Sequence, residues 1–166
     1  MIELIPMMDG VTHCNIYSKG RTSLGRALTN FAMTPFKHPI LGEFLSGEGL
    51  HYYLKVGEEN KATGEVKRFD EFRQLWGVEA KQRGVELSRT HMVLNHDFDY
   101  HMRLGLIAKV TQNPKLFKMF MESDLPLTHY YYYGDPNADN CKVVAPKRPG
   151  RLVTDLEEIR AFLRKS

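Results

Sequence analysis

Glu48, His51 and Lys55 fall within eight residues of one another, and the Asn30-Phe31 pair precedes them by less than twenty. These side chains are the best spaced in the chain for chemistry at a common centre, with Glu48 expected in the middle. From Ser46 onward, Leu50, Tyr53 and Leu54 predict the buried side of a helix, which leaves Glu48, His51, Tyr52 and Lys55 for another side. Ser46 is the expected N-cap, so Glu48 falls in the first turn. There the helix dipole stabilises an exposed carboxylate by up to about 1 kcal/mol and lowers its pKa. Burial against Phe44 or Tyr52 raises it instead, so both a charged base and a protonated acid stay open. Lys55 lies seven residues on, almost two turns, and nearly on the same face. That placement suits holding a phosphate or tuning Glu48. It does not suit a direct salt bridge, because helical neighbours are three or four residues apart.

Other chemistries lack their residues. The 7 His form no HExxH or similar ligand spacing. The 2 Cys, Cys14 and Cys141, lie far apart without a CxxC, so neither a zinc site nor a disulfide framework follows, and reduced thiols are expected. No glycine-rich phosphate loop and no Ser or Cys nucleophile in a recognisable frame occur. The expectation is a site without metal or cofactor. A formal charge of +3 tolerates an anionic ligand or nucleic acid without marking a DNA-coating protein. Arg21 and Arg26, and farther on Lys142, Lys147, Arg148 and Arg151, form basic clusters suited to an anion. The first ten residues lack the basic start and cleavage site of an export signal, and no apolar run approaches the roughly 18 residues of a membrane helix. A cytoplasmic protein is expected.

The elements that must position these residues belong to one domain, residues 1–166, long enough to bury roughly 70% of its unfolded surface. Ile2 to Ile5 and Cys14 to Tyr17 read as short strands between turn residues. Gly20 to Arg26 reads as a loop, Thr34 to Pro39 as irregular because of its two prolines, and Gly57 to Lys67 as a polar surface loop. Helices are predicted over Phe69 to Arg83, with Trp76 in the core and Gly84 as its stop, and over Asp97 to Val110. Gly105 inside the second implies close approach of another element. Asn113-Pro114 starts a further helix that buries Leu116, Phe117, Phe120 and Met121. Leu127 to Tyr133 reads as one strand whose four tyrosines alternate faces, ended by the Gly134-Asp135-Pro136-Asn137 turn. A loop runs from Pro136 to Gly150, and a helix from Thr154 to Arg164 opens with a Thr154/Glu157 capping box. The fold class is α+β, mainly helical with a few short strands.

Several segments occur in an order that resembles the NADAR family, also called YbiA-like. NIYS at Asn15 to Ser18 is similar to its opening strand and LTNF at Leu28 to Phe31 to its Ser-Asn-Phe segment. GEGLHYYLK at Gly47 to Lys55 resembles its Ser-Glu-His segment, where a glutamate precedes a lysine by seven residues. AKQRG at Ala80 to Gly84, HMRLGLIAKV at His101 to Val110, YYGD at Tyr132 to Asp135 and GRLVTDLEEIR from Gly150 continue the likeness over most of the chain. There are departures: Gly49 stands where the family often has histidine, Gly150 where it has asparagine, Val153 where it has glycine and Tyr133 where it has tryptophan. Tyr130 stands about where an acidic residue precedes the family's Tyr-Trp-Gly.

The resemblance implies a YbiA-like fold and N-glycosidase chemistry, the hydrolysis of a bond between a ribose carbon and an amino nitrogen. The implied activity is removal of ADP-ribose from guanine in nucleic acid or nucleotide. Alternatives are the same chemistry on aminopyrimidine ribose phosphates of riboflavin synthesis, or non-catalytic binding of ADP-ribose or a nucleotide. The partner is accordingly an ADP-ribosyl or ribosyl-phosphate small molecule, or ADP-ribosylated nucleic acid. Such a reaction develops oxocarbenium character on the sugar, so it needs a carboxylate near that carbon and a proton for the leaving nitrogen. Glu48 fits the first role, with Asp135 as a second carboxylate. Asn30 would fix ribose hydroxyls, Phe31 or Tyr133 would stack on a base beside the Gly134 turn, and Lys55 and Arg151 would meet phosphate. The departures fit a divergent member, with an altered substrate or with binding in place of turnover.

Overall fold

A computed structural model describes residues 2–148 and 150–166. It shows the α+β, mainly helical architecture with short strands. Two compact units can be delimited: Asn30–Asn113, and Met1–Thr29 with Pro114–Ser166.

The unit Asn30–Asn113 is organised around α2 (Gly47–Lys55). An antiparallel pair, β2 (Phe36–His38) and β3 (Gly42–Phe44), leads into it. After it come a second pair, β4 (Glu58–Glu59) with β5 (Val66–Lys67), then a 3-10 turn at Asp70–Gln74, α3 (Gly77–His91) and α4 (Phe98–Gln112). Leu50, Tyr52, Tyr53 and Leu54 of α2 join Phe36, Phe44 and Phe72 in the core. Two glycines let the neighbouring helices close on α2. A Cβ at Gly84 of α3 would enter the Tyr52 ring, and one at Gly105 of α4 would meet the Leu50 Cδ2 methyl. Gly105 thus has the role expected of it. Gly84 does not end its helix: the sequence reads it as a stop, but it is a mid-helix contact surface.

Other local expectations change with tertiary context. The helix predicted over Phe69 to Arg83 is a 3-10 turn followed by a helix that starts only at Gly77. Trp76 precedes that helix and is 50% exposed rather than in the core. The prolines of Thr34 to Pro39 do favour extended backbone, which here becomes β2, and the supposed loop Gly57 to Lys67 is the β4/β5 hairpin.

In the other unit, a parallel pair joins β1 (Cys14–Asn15) to β6 (Leu127–Thr128). Beside it are α1 (Ser23–Leu28), α5 (Pro114–Glu122), α6 (Leu152–Arg164) and the antiparallel pair β7 (Tyr131–Tyr133) with β8 (Lys142–Val144). No strand forms over Ile2 to Ile5, whose isoleucines stay exposed. The loop predicted at Gly20 to Arg26 turns helical at Ser23 because the Thr22 side chain caps Gly25 N–H at 2.9 Å. The strand Leu127 to Tyr133 is broken: Asn15 Oδ1 accepts the Tyr130 N–H and Asn15 Nδ2 donates to the Tyr130 carbonyl, which draws that residue out of a ladder. The four tyrosines still alternate, with Tyr130 and Tyr132 buried and Tyr133 60% exposed. The predicted capping box does not form. The last helix begins two residues earlier, and the Glu157 carboxylate instead accepts the Leu127 N–H and binds Arg160. Phe117, expected inside, lies on the exposed side of α5.

Candidate functional site

The first turn of α2 assembles as the Ser46 to Lys55 pattern predicts. Ser46 is buried, its Oγ accepts the Gly49 N–H at 3.0 Å, and its hydroxyl donates to the Leu75 carbonyl at 3.0 Å. A side chain at Gly49 would run into the Phe72 carbonyl oxygen, so this helix start cannot accept the histidine of the resembled family without moving the 3-10 turn. Asn30 lies directly against it. Its carbonyl accepts the Glu48 N–H at 2.8 Å, and its Oδ1 is buried beside Gly47 without a hydrogen-bond partner. A buried acceptor left open costs about 1–3 kcal/mol, a cost a ligand hydroxyl would relieve.

Glu48 is partly buried, and burial pushes its carboxyl up to about 7, while Lys81 and then Lys55 pull it back only in part. Lys81 comes from α3 and holds its ammonium 5.8 Å from the Phe31 ring centre. Lys55 sits 5.7 Å from the Phe98 ring centre. His51, one turn beyond Glu48, packs edge-on against Tyr52 and Phe98, and burial together with Lys55 lowers its pKa to about 4. It is therefore neutral at ordinary pH and unsuited to hold an anion. Lys109, the lysine of the HMRLGLIAKV segment, is fully buried and lowered to about 7 by that burial.

Asn30, Phe31, Glu48 and Lys55 thus share one unit, with Asn30 and Glu48 in direct contact. An open groove of about 560 Å³ runs from Phe31 along α3. Lys81 and this groove were not singled out from the sequence, although AKQRG contains Lys81 and Val78, Lys81, Gln82, Val85 and Arg89 recur at helical spacing.

The remaining candidates lie in the other unit. Tyr133 is exposed at the end of β7, and Gly134 takes φ +92°, a left-handed turn conformation with open space around it. The Asp135 carboxylate is exposed and caps the turn by accepting the Asn137 N–H at 2.9 Å. Arg151 is half exposed and pairs with the buried Asp155 at 3.1 Å. Tyr130, at the position of the family's acidic residue, is fully buried, with its hydroxyl 2.6 Å from His13 Nε2. It is a structural residue. Among the described residues no cluster of three His, Cys, Asp or Glu could hold a metal ion, and no helix is long and apolar enough to cross a membrane.

No protein-family model and no curated protein matches the sequence. Among solved structures, the NMR structure of the Escherichia coli protein YbiA is similar over 93% of this chain and 90% of that one, with a TM-score of 0.58 and 20% sequence identity. At that identity the likeness speaks for the fold, and the chain adopts the YbiA-like fold implied by its sequence segments.

Proposed function

We propose that this chain is a divergent NADAR-type N-glycosidase that hydrolyses a ribosyl carbon-nitrogen bond and removes ADP-ribose from guanine in nucleic acid or nucleotide. The observation that carries the reading is Glu48: a carboxyl raised to about 7, at the position where the resembled family has its glutamate, beside an open buried acceptor on Asn30. A group with that pKa can both take and return a proton near neutral pH. Ionised Glu48 accepts a proton from water as the water oxygen bonds to the ribose anomeric carbon. The carbon-nitrogen bond pair leaves with the nitrogen, which then takes the proton back from Glu48. The carboxylate also faces the positive charge that develops on the sugar. Asn30 Oδ1 accepts a ribose hydroxyl, and Phe31 offers a ring face to the base or adenine. Lys55 remains a proposed phosphate contact; in the other unit, Arg151 remains proposed for phosphate, Tyr133 at the Gly134 turn for a base, and Asp135 as the second carboxylate. The unpaired thiols of Cys14 and Cys141 fit a cytoplasmic setting.

Incubation with a guanine-ADP-ribosylated oligonucleotide, followed by mass spectrometry, tests the proposal. Release of ADP-ribose by the wild type and its loss in Glu48→Gln are expected. No release, or equal release by the variant, overturns it. Turnover of an aminopyrimidine ribose phosphate in its place would move the same chemistry to the smaller substrate.

A further inference from the structure

The groove along α3 has a composition that catalysis at Glu48 does not require. Its wall is a helical stripe, Val78, Lys81, Gln82, Val85 and Arg89, facing Phe31. Val78 and Val85 are 58% and 41% exposed, unusual for valines on a helix whose opposite side already buries Ala80, Gly84 and Leu87. Among the described residues neither Lys81 nor Arg89 has an ion-pair partner. Glu86, the carboxylate of the groove, is tied to Arg83 at 3.1 Å. These two cations without an ion-pair partner, about 12 Å apart along the helix axis, with apolar surface between them and an aromatic ring at one end, form a surface complementary to phosphates and unstacked bases.

We propose that this groove receives an unpaired nucleic-acid strand, namely the nucleotides flanking the modified guanine, with Phe31 and the valines against bases and Lys81 and Arg89 against phosphates. The inference rests on the glycosidase reading above and selects single-stranded polynucleotide over free nucleotide as its substrate. Lys81 links the two regions, since it lines the groove, covers Phe31 and acts on Glu48. The bases in this groove must be splayed, because the groove offers one flat ring and short apolar side chains rather than a helix or ribbon shaped for a duplex groove.

Fluorescence anisotropy with a short, unmodified, labelled single-stranded oligonucleotide tests this on the full chain. Binding should weaken with salt, with a log-log slope of about −1.4 for two phosphate contacts on a single strand. Arg89→Glu should reduce affinity about tenfold or more and lower the slope by about 0.7. Val85→Ser should reduce affinity about threefold with the slope unchanged, since it removes only apolar contact. The proposal is overturned by strand binding that ignores Arg89→Glu, by duplex binding as tight as single-strand binding, or by an equal effect of Arg89→Glu on free ADP-ribose. Turnover of a modified mononucleotide without strand binding would defeat this inference alone. Arg89-dependent strand binding without ADP-ribose release would defeat the glycosidase reading alone.

Discussion

Glu48→Gln provides a test of the site that needs no substrate. The Glu48 carboxyl moves from 4.5, its ordinary value, to about 7 in the folded chain. Below pH 4.5 it is protonated in both states and contributes no pH dependence. Between 4.5 and 7 the unfolded chain releases a proton that the folded chain keeps, so stability falls as pH rises. Above 7 both states are ionised and the full cost is present. At 1.36 kcal/mol per pKa unit the shift corresponds to about 3 kcal/mol, and partial solvent access to Glu48 reduces this to about 2. Glutamine is neutral throughout. The stability of Glu48→Gln minus that of the wild type should therefore be flat in acid, climb between pH 4.5 and 7, and level off about 2 kcal/mol higher. Urea unfolding followed by far-ultraviolet circular dichroism across this range measures the difference, which amounts to about 1 M in midpoint. His51 has its own pH dependence: its lowered pKa makes stability fall as pH drops from 6.5 toward 4. It is present in both proteins and cancels. A flat difference, or one that declines with rising pH, would mean that the helix dipole and the lysines outweigh burial, and the proton-shuttle role would fail with it.

Further outcomes follow from the same geometry. Gly84→Ala should lose about 2 kcal/mol in chemical denaturation, because its methyl meets the ring of a buried tyrosine, an overpacking cost larger than the helix-propensity gain of about 1 kcal/mol. Gly105→Ala meets only the movable end of Leu50 and should lose less, so the reverse order would contradict this packing. Tyr130→Phe removes the partner of buried His13 Nε2 and should cost about 1–3 kcal/mol by the same measurement, with ADP-ribose release unchanged at a temperature where the variant is folded. The rate of that release should rise with pH and level off above about 7, since Glu48 must begin ionised; a limb falling through that value in a pH-rate profile would assign it the acid role alone.

What could be read from the sequence divides by the range of the interaction. Ser46 as N-cap, Glu48 in the first turn and the buried Leu50, Tyr53 and Leu54 side depend on residues within two helical turns, and the structure places them as read. The segment order that resembles YbiA-like proteins also carried the fold. Contacts distant in sequence decided the rest. Gly84 looks like a helix stop until Tyr52, thirty-two residues earlier, is found packed against it. Leu127 to Tyr133 looks like one strand until Asn15 binds both backbone groups of Tyr130. The Thr154/Glu157 box fails because Leu127 offers Glu157 a better-placed N–H. Nothing local marks Lys81 as part of the site, since only the crossing of α3 over α2 brings it near Glu48.

Packing around α2 also bears on the question the sequence leaves open at Glu48. A carboxylate in the first turn of a helix gains up to about 1 kcal/mol from the dipole, and two lysines act in the same direction. Burial still prevails, and the reason lies in how closely α2 is packed. Gly47 and Gly49 carry no side chains to hold the Asn30 segment and the 3-10 turn away from the helix start. Gly84 lets α3 come down on Tyr52, one turn past Glu48. Each glycine permits close packing around α2, and burial is the largest influence on the Glu48 carboxyl. The departure at Gly49 belongs to this packing: a larger residue there would meet the Phe72 carbonyl oxygen and could be accepted only if the 3-10 turn moved away from the helix start.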